Sequence, residues 1–190
     1  MNSENKRGIL VVLSGPSGCG KDTVMSALSK RDESICLSVS ATTRPQREGE
    51  TDGVDYYFLS TKQFESKIEN DEFVEYVQYA EYYYGTLKSE IERIISGGKS
   101  VVLVIEVKGA ANIISKYPDC LSVFLMPPSL AVLESRLRKR ATEDNDTIER
   151  RMRIAEDEIE KSKQYKYVVV NDNLDTAIET VYNIIDNYRK

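Results

Sequence analysis

Histidine does not occur in this chain of 190 residues. A histidine general base, a histidine metal site and a Ser-His-Asp triad are therefore all excluded. Any chemistry must run on carboxylates, lysine, arginine, hydroxyls, backbone groups and a bound ion. Cysteine is scarce as well. Cys19, Cys36 and Cys120 are scattered, with no metal-ligand spacing and no CxxC pair. That usage reads as free thiols in a reducing cytoplasm. Cys36 and Cys120 lie in apolar stretches that suit a core. Cys19 has two readings, an oxidisable thiol or a small residue tolerated at a variable position. No apolar run approaches the roughly 20 residues of a membrane span, and the polar stretch Met1–Arg7 has no signal-peptide character. Positive charge is not in excess either: the net charge is −5, which argues against a nucleic-acid footprint. Repeats, low-complexity tracts and linkers are also missing. The chain reads as one domain, or one domain with inserted lobes.

What is present begins with Gly15-Pro16-Ser17-Gly18-Cys19-Gly20-Lys21-Asp22-Thr23. The spacing Gly-x-x-x-x-Gly-Lys follows the apolar run Ile9–Leu13 and precedes Val24, Ala27 and Leu28 at helical spacing. Strand, glycine loop and helix is the setting of a phosphate-binding loop. Its backbone N–H groups turn inward on an anion, and the helix N-terminus adds a favourable dipole. Lys21 supplies a point charge for the outer phosphates. A structural turn before a helix is the competing reading, and it leaves Lys21 without a reason. Asp22 stands where a Ser or Thr hydroxyl normally meets magnesium.

Strand-like runs at 8–14, 35–41, 101–107, 120–126 and 166–171 alternate with helical patterns. Leu87, Ile91, Ile94 and Ile95 mark a helix over 87–97, stopped at Gly97 and Gly98. Ser129 caps a helix carrying Leu130, Leu133 and Leu137. Ile148, Met152, Ala155 and Ile159 stripe a long charged helix, and Leu174 to Ile185 make the last. This alternation predicts an α/β fold, a parallel five-stranded sheet with helices on both faces. The tyrosine-rich segment 42–86 interrupts the rhythm. There the pattern predicts short antiparallel strands around 54–59 and 73–86, flanking a helix at 62–70 that a Ser60/Gln63 capping pair begins.

Three further constellations carry chemistry. Arg44 and Arg47, three apart and separated by Pro45, suit a clamp on a monophosphate, or a solvated surface loop. Glu106 closes the run Val101–Ile105, placing a carboxylate where nucleotide-binding sheets face their crevice, or simply where the chain leaves the sheet. Arg136, Arg138, Lys139, Arg140, Arg150, Arg151 and Arg153 put seven cations within eighteen residues, around an acidic turn. Arginines on both limbs of such a hairpin could close on a triphosphate as a lid, though most of them suit a solvated face.

Taken together, the chain resembles the guanylate kinases from about Gly8 to Asp186. The resemblance rests on Ser40-Ala41-Thr42-Thr43-Arg44-Pro45-Gln46-Arg47, then Glu50, Gly53 and Asp55-Tyr56-Tyr57-Phe58. It continues through Phe73-Val74-Glu75-Tyr76, Tyr83-Tyr84-Gly85-Thr86, Phe124–Ser129, Arg136-Leu137, Arg140, Thr142, Arg151 and Val170-Asn171-Asp172. It implies a P-loop nucleoside monophosphate kinase fold and phosphoryl transfer from ATP to GMP with magnesium. The implied layout is a core of 1–37, 87–135 and 155–190, a GMP-binding lobe at 38–86 and a lid at 136–154. In this family the residues matching Ser40, Arg44, Arg47, Tyr56 and Tyr84 hold the acceptor phosphate. Those matching Glu75 and Thr86 read the guanine edge, with Glu106 nearby. Arg140 and Arg151 match lid arginines on the ATP phosphates, and Asn171 matches a residue near the donor nucleotide. The implied catalytic set is Lys21, Arg44, Arg140 and Arg151.

The sequence departs from the family pattern at Asp22, at Val104 and Glu106 where acids of a different spacing and length are usual, at Lys108 and at Ala141. Val104 removes a carboxylate from the magnesium neighbourhood and Asp22 adds one. Asp22 is accordingly the candidate metal contact, directly or through water, unless it only complements the helix dipole. Expected partners are ATP and GMP, with no nucleic acid or membrane, for a cytoplasmic monomer or homodimer. Two other readings stay in view. One is a ribose 1,5-bisphosphate phosphokinase, a family that can carry Gly-Lys-Asp in this loop. The other is a non-catalytic guanylate-kinase-like binding module.

Overall fold

The computed structural model describes residues 8–139 and 145–190. Five strands form one parallel sheet: β1 (Leu10–Ser14), β2 (Ile35–Leu37), β7 (Ser100–Val104), β8 (Leu121–Met126) and β9 (Tyr167–Val170), in the order β2-β7-β1-β8-β9. The central strands β7, β1 and β8 are apolar but for one buried serine each, because both of their faces are covered. Val11 and Leu13 pack in one layer with Val24 and Leu28 of α1 (Lys21–Arg31) and with Ala177, Val181 and Ile185 of α7 (Leu174–Tyr188). Val12 points the other way, into a layer with Ile91 and Ile94 of α3 (Lys88–Ser96) and Val107, Ala110 and Ile113 of α4 (Val107–Lys116).

A second sheet of four strands, order β4-β3-β6-β5, is made by β3 (Ala41–Thr42), β4 (Tyr57–Phe58), β5 (Phe73–Tyr79) and β6 (Tyr82–Leu87). Helix α2 (Thr61–Glu69) lies between β4 and β5, and Ser60 and Gln63 make the expected reciprocal cap. Phe64 stacks between Phe73 and Tyr83, with ring centroids at 4.3 and 5.2 Å. Helices α5 (Leu130–Lys139) and α6 (Asn145–Glu160) pack through Leu133, Leu137 and Ala155. The Ser129 hydroxyl accepts from the Val132 N–H at 3.2 Å, as the capping pattern predicts.

Three expectations need correction. The run 35–41 is not one strand: the last bond to the core sheet is from Ser38 N–H to the Val102 carbonyl, at 3.2 Å, and the chain then enters the second sheet as β3. The run 101–107 leaves the sheet at Val104, since Glu106 already occupies the N-cap position of α4. The segment at 54–59 supplies only β4, and it pairs parallel with β3 rather than antiparallel. The segment 73–86, expected as antiparallel strand, supplies two strands, β5 and β6, which pair antiparallel with each other.

Candidate active site

The loop between β1 and α1 is held at both ends. Gly20 takes a left-handed conformation (φ 99°) at the N-cap of α1, and a Cβ there would come within 2.6 Å of the Asn171 amide nitrogen. That nitrogen donates to the Cys19 carbonyl at 2.8 Å, while the Asn171 N–H donates to Met126 O. Asn171 is buried and braces the loop from beneath, and its own carbonyl accepts from Arg136 at 3.0 Å. Lys21 Nζ donates to the carbonyls of Gly15 (2.6 Å) and Pro16 (3.1 Å), so its ammonium stays at the loop. Cys19 is fully buried, and burial pushes its thiol above the ordinary cysteine range more strongly than Lys21 draws it down. A buried, protonated thiol is a poor nucleophile, which favours the reading as a tolerated small residue. Asp22 and Thr23 are exposed in the first turn of α1.

On one side of this loop lies a cavity of about 340 Å³ walled by Gly18, Gly20, Thr23, Arg136, Lys139 and Asn171. Arg151 reaches the loop from α6, its Nη1 3.4 Å from the Ser17 hydroxyl. Arg138 and Arg153 instead meet Glu134 and Glu149 on their own helices, as a solvated face would. Arg140 and Ala141 lie outside the described residues.

On the other side is a crevice made of two adjoining cavities, about 420 and 360 Å³, with Ser40, Tyr56, Val104 and Ile105 in both walls. Asp22, Asp55 and Thr86 line the first, while Glu75, Tyr84, Glu106 and Lys108 line the second. The crevice therefore runs from the first turn of α1 to the inner face of the second sheet. Glu106 is exposed beyond the end of β7 and faces the crevice, so no charge is trapped inside the sheet.

Strand pairing sets the geometry here. Glu75 and Thr86 are cross-strand partners beside an irregularity in β5, and the Thr86 hydroxyl donates to Glu75 Oε1 at 2.8 Å. Gly85 allows the two strands this close, since a Cβ there would lie 2.8 Å from the Glu75 carbonyl oxygen. Burial pushes the Glu75 carboxyl above the usual carboxylate range, and the two hydrogen bonds from Thr86 oppose it. Tyr56 and Tyr84 meet edge to face, 6.2 Å apart. Thr42 and Thr43 fix the start of the arginine segment: the Thr42 hydroxyl donates to Tyr83 O and accepts from Arg44 N–H. The Arg44 guanidinium sits 5.4 Å from the Tyr56 ring and pairs with Glu50 at 2.7 Å. The Arg47 side chain is exposed, and its backbone N–H donates to Glu50 Oε2.

Two contributors have no role in the sequence reading. Glu50 holds both arms of the arginine segment, and Arg44 beside it keeps its carboxyl below the usual range. Glu158 of α6 is half-buried. Burial pushes its carboxyl upward, Lys21 across the loop opposes this, and Glu106 adds to it. Its sequence signal was spacing: three residues after buried Ala155, it falls on the inward side of α6.

A family model described as guanylate kinase matches residues 7–188. A guanylate kinase of Halalkalibacterium halodurans is 48% identical over 96% of this chain and 89% of its own length. Another, from Latilactobacillus sakei, is 46% identical over 96% and 91%. The crystal structure of guanylate kinase from Anaplasma phagocytophilum superposes with a TM-score of 0.72 at 32% identity, covering 97% of this chain and 87% of that one. A phosphate loop at the end of β1, a crevice carrying Glu75 and Thr86, and agreement over nearly the whole length lead to one conclusion: the chain belongs to the guanylate kinase family.

Proposed function

We propose that the two sides of the loop divide the substrates of this ATP:GMP phosphotransferase. ATP lies along Gly15–Thr23 with its nucleoside toward Asn171, and GMP fills the crevice. The observation that carries this reading is the hydrogen-bonded pair of half-buried Glu75 and buried Thr86 in the walls of the crevice. A carboxylate accepts from guanine N1–H and the 2-amino group together, a pair of donors adenine does not offer. Ser40, Tyr56, Tyr84, Arg44 and Arg47 then hold the acceptor phosphate, with Glu50 presenting the arginines. Residues 38–86 act as the acceptor lobe and 136–154 as the lid over a core built from the rest.

The absence of histidine fits such a transfer. The acceptor phosphate has a second pKa of about 6, so near neutrality it is already anionic and needs no strong base. The protein's part is alignment and charge. Lys21 sits at the outer phosphates, Arg151 and Arg140 arrive with the lid, and closure excludes water. Glu106 stays at the crevice rim beside the guanine site.

Magnesium fits the residues present. Among the described residues no three carboxylate or thiol groups gather as a protein cage. A nucleotide-bound Mg²⁺ needs only one or two protein carboxylates beside phosphates and water. Asp22, an exposed hard-oxygen donor in the crevice wall, would hold the ion directly or through water. When bound, the ion would neutralise charge on the β- and γ-phosphates. Replacing Asp22 with Ala, which removes every oxygen donor of the side chain at this position, should raise the magnesium concentration giving half-maximal rate several-fold while the GMP KM stays constant. An unchanged magnesium titration would leave Asp22 as a complement to the helix dipole alone.

The three free cysteines suit a cytoplasmic protein, and no helix among the described residues is long and apolar enough to cross a membrane. The direct test follows phosphoryl transfer by phosphorus NMR with ATP, magnesium and each of GMP, AMP and ribose 1,5-bisphosphate. GMP should be preferred by at least about 10²-fold, because a site built to hydrogen-bond one edge strongly rejects analogues without it. Preference for the bisphosphate would overturn the proposal. Absence of ATP affinity would make the chain a binding module.

A further inference from the structure

Glu90 belongs to none of the groups above, yet it is the most deeply enclosed carboxylate among the described residues, its side chain 1% exposed. Each oxygen has two donors. Oε1 accepts from Val39 N–H (3.3 Å) and Arg93 Nη2 (3.0 Å), and Oε2 from the Tyr57 hydroxyl (2.9 Å) and Arg93 Nε (3.0 Å). Arg93, one turn along α3 and largely exposed, balances the charge. What remains of the carboxylate's capacity goes to two places in the second sheet's anchorage.

Both places adjoin the crevice. Val39 lies where the chain passes between sheets: Ser38 N–H makes the last bond to the core, and the Ser40 carbonyl makes the first to β4, accepting from Tyr57 N–H at 2.9 Å. Ser40 and Tyr56, the neighbours of the two residues Glu90 holds, line both cavities. We propose that Glu90 is a positioning residue for the acceptor site, pinning the crossover at Val39 and the Tyr57 hydroxyl so that Ser40 and Tyr56 stand correctly for the acceptor phosphate. This rests on the crevice being the GMP site. A carboxylate suits the task because it accepts four hydrogen bonds at once without rearranging, and hydrogen bonds to an ionised acceptor are among the stronger ones.

Tyr57→Phe is the mild test, since Glu90 Oε1 keeps both of its donors, Oε2 keeps Arg93 Nε, and no buried group is stranded. It should raise the KM for GMP, and the Kd from calorimetry, about three- to tenfold, while the ATP KM stays within twofold. Glu90→Gln should raise them further. The double variant should be no worse than Glu90→Gln alone, because the two changes break one network. Lower thermal stability with an unchanged GMP Kd, or an equal loss for ATP and GMP, would reduce Glu90 to a structural ion pair. Arg44→Ala separates the two levels of the argument. If it raises the GMP Kd while Tyr57→Phe does not, the positioning role alone fails. If Arg44→Ala leaves the GMP Kd unchanged, the acceptor-site reading fails and this inference with it.

Discussion

Lys21→Ala should lower the turnover of GMP by about 10²–10³-fold, the range for removing one donor aimed at charge that develops in a transition state. The geometry gives the reason. Lys21 is the first residue of α1, and its ammonium is held beside Gly15 and Pro16, on the loop that would cradle the outer phosphates. A methyl group leaves that charge to Arg151 and the ion, and neither takes the lysine's place. The loss should fall mainly on kcat rather than on the ATP KM, since charge on the transferring group grows toward the transition state. The fold should tolerate the change. The side chain is half-buried, and it gives up two bonds to loop carbonyls. The cost is roughly 1 kcal/mol, or about 2–4 °C in Tm. Coupled turnover and thermal unfolding on one preparation check both halves. Near-normal kcat would remove the loop from the mechanism, and a loss of cooperative unfolding would show that Lys21 is structural.

How far the sequence discloses such a site depends on how local its causes are. The phosphate loop is legible because glycine spacing, a buried strand and a helix start all fall within about fifteen consecutive residues. The central strands are legible because burial on both faces makes Val11–Leu13 and Val101–Leu103 continuously apolar. The sheet crossover at 38–40 is not. Nothing in Ser38-Val39-Ser40 resists a strand, and the group that holds Val39 comes from Glu90, fifty-one positions on. The end of β7 is hidden for a similar reason. Ile105 continues an apolar run, but its carbonyl accepts from Ser14 as the chain turns toward α4. Asn171 shows a subtler gap. The resemblance places it near the donor nucleotide, but its amide is spent on Cys19, a contact 152 positions apart in sequence. Glu158 owes its surroundings to Lys21 and Glu106, both distant along the chain.

Glu75→Gln should lower the preference for GMP over AMP by at least about 10²-fold. The carboxylate offers two acceptor oxygens to guanine's two donors, and each hydrogen bond to a charged group contributes about 1.5–3 kcal/mol. The amide keeps one oxygen and turns an NH₂ toward the other donor, so the variant has an unmatched pair where the wild type has a bond. AMP never used that pairing, so its slow reaction should change little. The ratio of kcat/KM values for the two nucleotides measures this, and an unchanged ratio would remove Glu75 from base reading.

The raised pKa of Glu75 adds a pH signature with a definite sign. Only the ionised form accepts both donors, so GMP affinity should fall on acidification at a higher pH than an ordinary carboxylate, near 4.3, would give. The glutamine variant should lack that limb. Stability runs the other way. A carboxyl whose folded pKa is raised by burial contributes most below its unfolded pKa, and that contribution is lost as pH rises through the folded value. Glu75→Gln should therefore gain in Tm relative to the wild type at neutral pH, with Thr86 still donating to the remaining oxygen, and the gain should shrink as pH falls. A carboxylate kept half-buried at some cost to the fold, and weakened in recognition when it is neutralised, is what a guanine reader requires; a residue kept for stability would give the opposite Tm trend.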